Sequence, residues 1–491
     1  MKFGEYPKIP SLGSVAGLRT HVASLGIDMP CDDIVAHGSD SPLGSAFEFE
    51  GMNIGNRIGI LPMEGWDGQT DGRPSENTFR RWRRFGESGG KLIWGGEAVA
   101  VRGDGRANPR QLYLADHTQA DMARLREELV QAHKAAFGDD RGLVIGLQLT
   151  HSGRFCKPND NRKFESQIAY RHPILDRKFG YPDERPIMSD DEIKRLIDDF
   201  IRAAKQVQDC GYDFVDVKHC HGYLGHEFLS AFTRHGPYGG SLENRTRFMR
   251  EIVDGIRAEA PGLRIGVRLS AVDLVPFKPD PAQSAPGALG PGIPEDVTEL
   301  LPYKYAFGVD QHDPVEFDLT EPKALFQIMR GIGVRFVNVV AGSPYYNPHV
   351  SRPASYPPSD GYHPPEDPLI GVMRQIAVTR TLKESFPDFC IMSSGFTYLQ
   401  EFLPNVAQAV IRQGWSDVIG VGRMVLAYPE MPRDVLEGRG MQKKRLCRTF
   451  SDCTTAPRND LVSGCYPLDP FYKKSEGFKA LAAIKKPAKI A

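Results

Sequence analysis

The stretch DVKHCHGYLGHEFLSAF, Asp216–Phe232, sets a lysine, three histidines, a cysteine and a tyrosine close together. It continues an apolar, strand-like run and breaks at Gly222. Groups of these types at one strand end suit two kinds of chemistry. Titratable groups gathered at one strand end suit acid–base work or hydrogen bonding to a developing charge. Alternatively, Lys218 could attack a carbonyl and form a Schiff base.

Such groups need a scaffold that aims strand ends at one place. Eight short apolar runs recur along the 491 residues, each followed by a longer amphipathic stretch. They are NRIGILP from Asn56, KLIWGG from Lys91, GLVIGLQL from Gly142, DFVDVK from Asp213, LRIGVRLS from Leu263, VRFVNVVAG from Val334, FCIMSSG from Phe389 and SDVIGVGR from Ser416. Several are nearly all apolar, as strands covered on both faces are. DEIKRLIDDFIRAAKQVQDCG, between two of them, opens with acids and closes at Gly211, as a helix should. Eight strand–helix units predict an α/β fold, a (β/α)8 TIM barrel over residues 51–440, with a doubly wound open sheet as the alternative. Residues 1–50 form an N-terminal extension expected to pack across the barrel's bottom or against a neighbour. Residues 441–491 form a C-terminal tail. The proline-, glycine- and aspartate-rich span 273–318 is expected to be a lid, a partner contact or disordered.

Barrel chemistry sits at the C-terminal strand ends, and those ends carry polar residues and glycines. The first gives Pro62, Met63 and Glu64, the second Gly95 and Gly96, and the third Gln148, His151 and Arg154. The fifth carries Arg268 and Ser270, the seventh ends in Ser393, Ser394 and Gly395, and the eighth runs from Gly420 to Arg423. Core packing does not account for Gln148 or Arg268 within apolar strands, because each costs several kcal/mol there unless paired. Glycines at the last two ends, with Arg423, suit a phosphate. Gln148 and Arg268 would then face a flat, polar-edged ring. A cofactor with both parts is flavin mononucleotide (FMN).

NRIGILPM, LQLTHSGR, GYDFVDVKHCHGYLGHEFLS, YGGSLENRTRF, GVRLS and VIGVGRMVLAYPE together resemble the Old Yellow Enzyme family of FMN-dependent NADH:flavin oxidoreductases, over about Ser41 to Arg433. The resemblance implies that Pro62, Met63 and Gly96 line the flavin through backbone contacts. It also implies that Gln148 bonds the pyrimidine edge and that Arg268 stabilises the reduced ring. Ser394, Gly395, Gly422 and Arg423 would hold the phosphate, and Tyr223 would be the proton donor. NADH or NADPH would be the transient hydride donor. The substrate would be a small molecule, and a homo-oligomer is expected.

This chain departs from the family pattern twice. The pattern at the fourth strand end is histidine, two residues, then histidine or asparagine; here Lys218 stands first and His221 second. A lysine favours a carboxylate or enolate over a neutral ketone, so an anionic substrate is expected. Glu64 stands where the family has a small threonine or cysteine; it could pair with Lys218 or act as a base. In the tail, Cys447, Cys453 and Cys465 resemble three of the four cysteines that hold an iron–sulfur cluster in larger relatives, with Phe450 at the second position. Three thiolates are one short of the usual set, so no metal or cluster is expected.

Composition narrows the remaining classes. A net charge of −1 gives no footprint for nucleic acid or an anionic membrane. The arginines of RRWRRFGE, Arg80 to Arg84, read as a solvated helix face. Eight scattered cysteines fit reduced thiols in the cytoplasm. The leading expectation is hydride transfer from NAD(P)H through the flavin to an electron-poor alkene next to a carbonyl or carboxylate. An oxidative flavin dehydrogenase acting on an amine or ring C–H is a second reading, and a Schiff-base aldolase or lyase using Lys218 is a third.

Overall fold

The computed structural model describes residues 4–182, 186–285, 289–359 and 361–485. All eight apolar runs are strands, in the order in which they occur. They are β1 (Ile58–Ile60), β2 (Leu92–Ile93), β3 (Val144–Thr150), β4 (Phe214–Val217), β5 (Arg264–Val272), β6 (Phe336–Ala341), β7 (Cys390–Ser393) and β8 (Val418–Val421). Every neighbouring pair is parallel, and β8 pairs β1 with Ile419 opposite Ile58, which closes the ring. A further short strand, Ala98–Ala100, also pairs β3. The fold is therefore a (β/α)8 barrel rather than an open sheet.

The strands are buried along nearly their whole length because helices cover the outside and side chains fill the inside. Seven long helices follow β1 to β7: α1 (Glu76–Gly86), α2 (Gln119–Phe137), α3 (Asp190–Asp209), α4 (Arg247–Glu259), α5 (Thr320–Gly331), α6 (Pro368–Ser385) and α7 (Leu403–Arg412). Ser189 starts α3 with a reciprocal capping box to Glu192. Among the described residues, no helix is long and apolar enough to cross a membrane.

The barrel's lower interior is closed by aromatic side chains. Trp94 and Phe336 lie 4.4 Å apart, Phe214 and Phe336 5.0 Å apart. A hairpin of Phe47–Phe49 and Met52–Ile54 adds Phe49, 5.8 Å from Phe336. Earlier in the chain, Asp32 pairs with Arg412 of α7, and His21 with Asp367, which caps α6.

The span 273–318 is folded where it is described; residues 286–288 lie outside the described residues. Phe277–Pro279 pairs antiparallel with Gly292–Pro294. Val275, Phe277, Tyr303 and Val309 form a small core of their own with Tyr362 and Ile174. Asp273 ties its start to the loop after β6, accepting from Tyr346 Oη (2.6 Å) and Asn347 Nδ2 (2.7 Å).

Phe336 is fully buried at the centre of the interior cluster, so Phe336→Ala should cost about 3–5 kcal/mol through lost burial and a residual cavity. Urea unfolding checks it, with a shift in midpoint and an unchanged slope expected.

Candidate active site

At the C-terminal rim one cavity of about 280 Å³ collects the nominated residues. Pro62, Met63, Glu64, Gln148, Lys218, His221, Tyr223, Arg268, Ser394, Gly395, Gly422 and Arg423 all line it. Gly96 does not. It lies one layer back with φ +51°, accepts from Met63 N (3.4 Å), and an added Cβ would lie 2.7 Å from the Trp82 ring.

Asp216 of β4 organises the floor. Its Oδ2 accepts from Gln148 Nε2 (2.5 Å), and its Oδ1 accepts from the Arg268 backbone N–H (2.7 Å). Gln148 has thus committed its amino group and presents its carbonyl oxygen. Burial pushes the Asp216 carboxyl up to about 6, against its hydrogen bonds to Gln148 and Arg268. Arg268 donates from Nη1 to Pro62 O (3.1 Å), and its Nε is buried without an acceptor. Arg423 shows the same pattern: Nη2 donates to Pro353 O (2.9 Å), and Nη1 is buried without an acceptor. Asn338 of β6 donates to Ser394 Oγ (3.2 Å), just past the end of the neighbouring β7. Gly395 takes φ +96°, which turns the chain from β7 into a 3-10 helix at low steric cost.

The opposite wall holds the titratable groups. Tyr223 Oη donates to Glu64 Oε2 (2.6 Å) and lies 2.8 Å from Tyr345 Oη. Glu64 Oε1 accepts from Trp66 Nε1 (3.1 Å) and Asn108 Nδ2 (3.4 Å). Burial raises the Glu64 carboxyl, while Lys218 and the Tyr223 hydroxyl oppose that rise. Burial and the Glu64 charge push the Tyr223 phenol well up, so it is held as a neutral donor. Lys218 Nζ lies 3.6 Å from the centre of the Tyr223 ring. Glu64 therefore takes its short hydrogen bond from Tyr223, and the ammonium group sits on the aromatic face. Burial lowers the Lys218 pKa, opposed by Cys220 and Glu64. Burial, Arg268 and Lys218 keep His221 neutral. Its backbone has φ +64°, fixed by Ser270 Oγ accepting from its N–H (2.9 Å) and Ser343 Oγ donating to its carbonyl (2.8 Å).

The other histidines of the opening stretch do not reach the cavity. His219 Nδ1 bonds Val217 O (3.0 Å), and His226 Nδ1 accepts from Gly222 N–H (2.9 Å). His151 and Arg154 are buried beside the site; Arg154 is held by Asp176 and Glu227.

The expected solvated arginine face is corrected by the structure. Arg81 is buried between Asp67 (2.8 Å) and Glu97 (2.7 Å) and donates to Met63 O (3.2 Å). Burial opposes the Arg81 charge, but the two carboxylates outweigh it. Arg80 grips Asp469 with two hydrogen bonds (2.9 and 3.0 Å), and Arg80, Arg81 and Arg84 all line the cavity. The cluster is short in sequence, yet its partners are remote, which is why composition alone misread it. Tyr345 was also missed. It follows β6 in AGSPYY, where no charged residue marks the strand end, and Phe155 stacks on it at 4.1 Å. Finally, the tail covers part of the cavity: Cys453, Ser463, Cys465, Asp469 and Tyr472 line it. Cys447 is buried near Cys465 and Cys453, and Phe450 stacks on Tyr356 at 5.7 Å. Among the described residues, no group of three or more His, Cys, Asp or Glu side chains is placed to hold a metal ion.

Fold and rim define a (β/α)8 barrel with one cavity at its mouth lined by glycines and polar side chains. The chain belongs to the NADH:flavin oxidoreductase / NADH oxidase family, which it matches over residues 43–285. It is 36% identical over 283 residues to 12-oxophytodienoate reductase 1 of Oryza sativa subsp. japonica, covering 56% of this chain and 70% of that one. It is 31% identical to an NADPH dehydrogenase of Geobacillus sp. (strain WCH70) over 48% of this chain and 65% of the relative. The chain thus spans just under two-thirds of that dehydrogenase's length. The old yellow enzyme homologue from Zymomonas mobilis shares the fold, with a TM-score of 0.52 and 20% identity over 82% of this chain and 94% of that one.

The raised Asp216 pKa gives a signed prediction. A carboxyl whose folded pKa lies above its unfolded value contributes stability at low pH that is lost as pH rises toward the folded value of about 6. Asp216→Asn removes that titration. Relative to wild type, the variant should therefore gain about 1 kcal/mol of stability between pH 5 and pH 7. Urea unfolding of both proteins at the two pH values checks this.

Proposed function

We propose that this protein holds FMN across the barrel mouth and uses NAD(P)H to reduce an electron-poor C=C bond conjugated to a carbonyl or carboxylate. The residues present fit the cofactor. Arg423 and Arg268 each keep a buried N–H without an acceptor, one beside the Ser394–Gly395 turn and one beside Gln148. The first suits a phosphate, the second the polar edge of a ring that Gln148 Oε1 meets as an acceptor. When bound, the flavin supplies hydride chemistry.

The observation that carries the reading is the position of the Tyr223 hydroxyl, 2.6 Å from Glu64 and 2.8 Å from Tyr345, on the cavity wall. As hydride adds to the β-carbon of the alkene, charge builds on the conjugated oxygen. The Lys218 ammonium and His221 face the cavity where that oxygen would be received. Tyr223 then donates its proton to the α-carbon. Lys218, over the ring face, stabilises the phenolate left behind, which regains its proton from solvent before the next cycle. Lysine in place of a neutral donor favours a substrate that carries a carboxylate. We read 51–440 as the catalytic barrel, with the tail from 441 as part of its cover. The Schiff-base reading finds no support in the family or in a lysine lying flat against an aromatic ring.

Tyr223→Phe separates the steps. Reduction of the bound flavin by NAD(P)H should persist, while its reoxidation by an α,β-unsaturated substrate should slow by about 10²-fold or more, the range of a lost general acid. Anaerobic stopped-flow absorbance reads both halves. Unchanged reoxidation would remove Tyr223 from the role.

A further inference from the structure

Tyr223 is only 2% exposed, so a replacement for the proton it gives up must come through its neighbours. Its hydroxyl oxygen meets Glu64 Oε2 at 2.6 Å and Tyr345 Oη at 2.8 Å. Glu64 is an acceptor there, because Tyr223, Trp66 and Asn108 all donate to its two oxygens. A phenol carries one O–H, and Tyr223 commits its own to Glu64. The 2.8 Å bond is therefore donated by Tyr345, which sets an order of donation: Tyr345 to Tyr223 to Glu64. Lys218 Nζ lies over the Tyr223 ring, 3.6 Å from its centre, where it balances the charge of a phenolate. Tyr345, unlike Tyr223, is partly exposed, and it lines both the rim cavity and a second cavity of about 220 Å³. Its position is fixed from several sides. Phe155 stacks on its ring at 4.1 Å, and its backbone N–H donates to Ser343 Oγ (3.3 Å), which itself donates to His221 O (2.8 Å). The next residue, Tyr346, is tied to Asp273 (2.6 Å).

We propose that Tyr345 is a positioning residue that relays the replacement proton to Tyr223. This deepens the functional reading above and rests on Tyr223 as the proton donor. In each turnover the Tyr223 O–H bond breaks as the C–H bond at the α-carbon forms. The phenolate oxygen then takes the hydrogen that Tyr345 already aims at it, and Tyr345 takes one from solvent at its exposed side. One solvent proton is consumed per alkene reduced, and the hydride comes from NAD(P)H.

Tyr345→Phe keeps the ring on Phe155 and removes the hydroxyl. Flavin-loaded wild type and variant are compared in mildly alkaline buffer, where solvent protons are scarce, with flavin content read from absorbance. The probe is trans-cinnamate or 2-cyclohexenone, whichever reoxidises the photoreduced wild-type flavin anaerobically. First reoxidation uses the proton that Tyr223 already holds, so it should stay within about threefold of wild type, the effect of one lost neutral hydrogen bond. Steady-state turnover at saturating NAD(P)H should fall by about tenfold or more, as when a proton-transfer group is lost. It should also gain a solvent deuterium isotope effect and recover when imidazole is added as a proton carrier; a packing defect would do neither. Flavin reduction by NAD(P)H, measured alone, should be unchanged. If Tyr345→Phe takes up no flavin, Tyr345→Gln, which keeps an N–H donor but no proton to relay, carries the same comparison. Turnover equal to wild type, or a loss shared by first reoxidation that imidazole does not restore, overturns the relay. A wild-type flavin that neither probe reoxidises overturns the functional reading instead.

Discussion

Two guanidinium groups, each with a buried N–H that meets no acceptor in the protein, are the constraint around which the site is arranged. Arg268 Nε and Arg423 Nη1 are closed off from water and have no acceptor in the protein. Leaving such a donor unmet costs about 1–3 kcal/mol, more for a charged group. Both groups line the rim cavity, where a bound ligand can repay that cost. The surrounding contacts keep the donors from relaxing: Pro62 O and Pro353 O each take one nitrogen of a guanidinium, and Asp216 holds the backbone of Arg268. The same carboxylate turns the Gln148 amide so that its oxygen is left for a ligand.

The parallel barrel makes this convergence possible. Every strand delivers its C-terminal end to one rim, so residues far apart in sequence meet. Glu64 and Tyr223 are 159 positions apart and share a 2.6 Å hydrogen bond. Asn338 on β6 positions Ser394, the residue that follows β7. The lower interior is packed with Trp94, Phe214 and Phe336. The insert and the tail then shape the two sides of the mouth, one carrying Lys278 beside Tyr345, the other Cys465 and Asp469 beside the arginines of α1.

Much of this was legible in the sequence, for physical reasons that also mark the limit. The eight strands stood out because burial on both faces forces unbroken apolar runs. Gln148 and Arg268 stood out because polar groups inside such runs need partners. Lys218 and Glu64 could be named as unusual, but their contacts could not. The Lys218 ring contact depends on how the chain turns at Gly222, and the Glu64 contact on barrel closure. Arg81 looked solvated because helical spacing says nothing about Asp67 and Glu97 folding back over it. Asp216 went unnoticed although an acid in an all-buried strand is the same kind of signal as Gln148. The insert was recognisable as extra length, yet its fold depends on a small core completed by Tyr362 and Ile174 from outside it.

Equilibrium titration of flavin-free protein with FMN, followed by quenching of flavin fluorescence, addresses the central claim most directly. The account predicts saturable binding of one FMN per chain, weakened by about tenfold or more in Arg423→Ala as one charged contact is lost. Protein that is folded yet leaves FMN free in solution, or that binds it equally well without the Arg423 guanidinium, would contradict it.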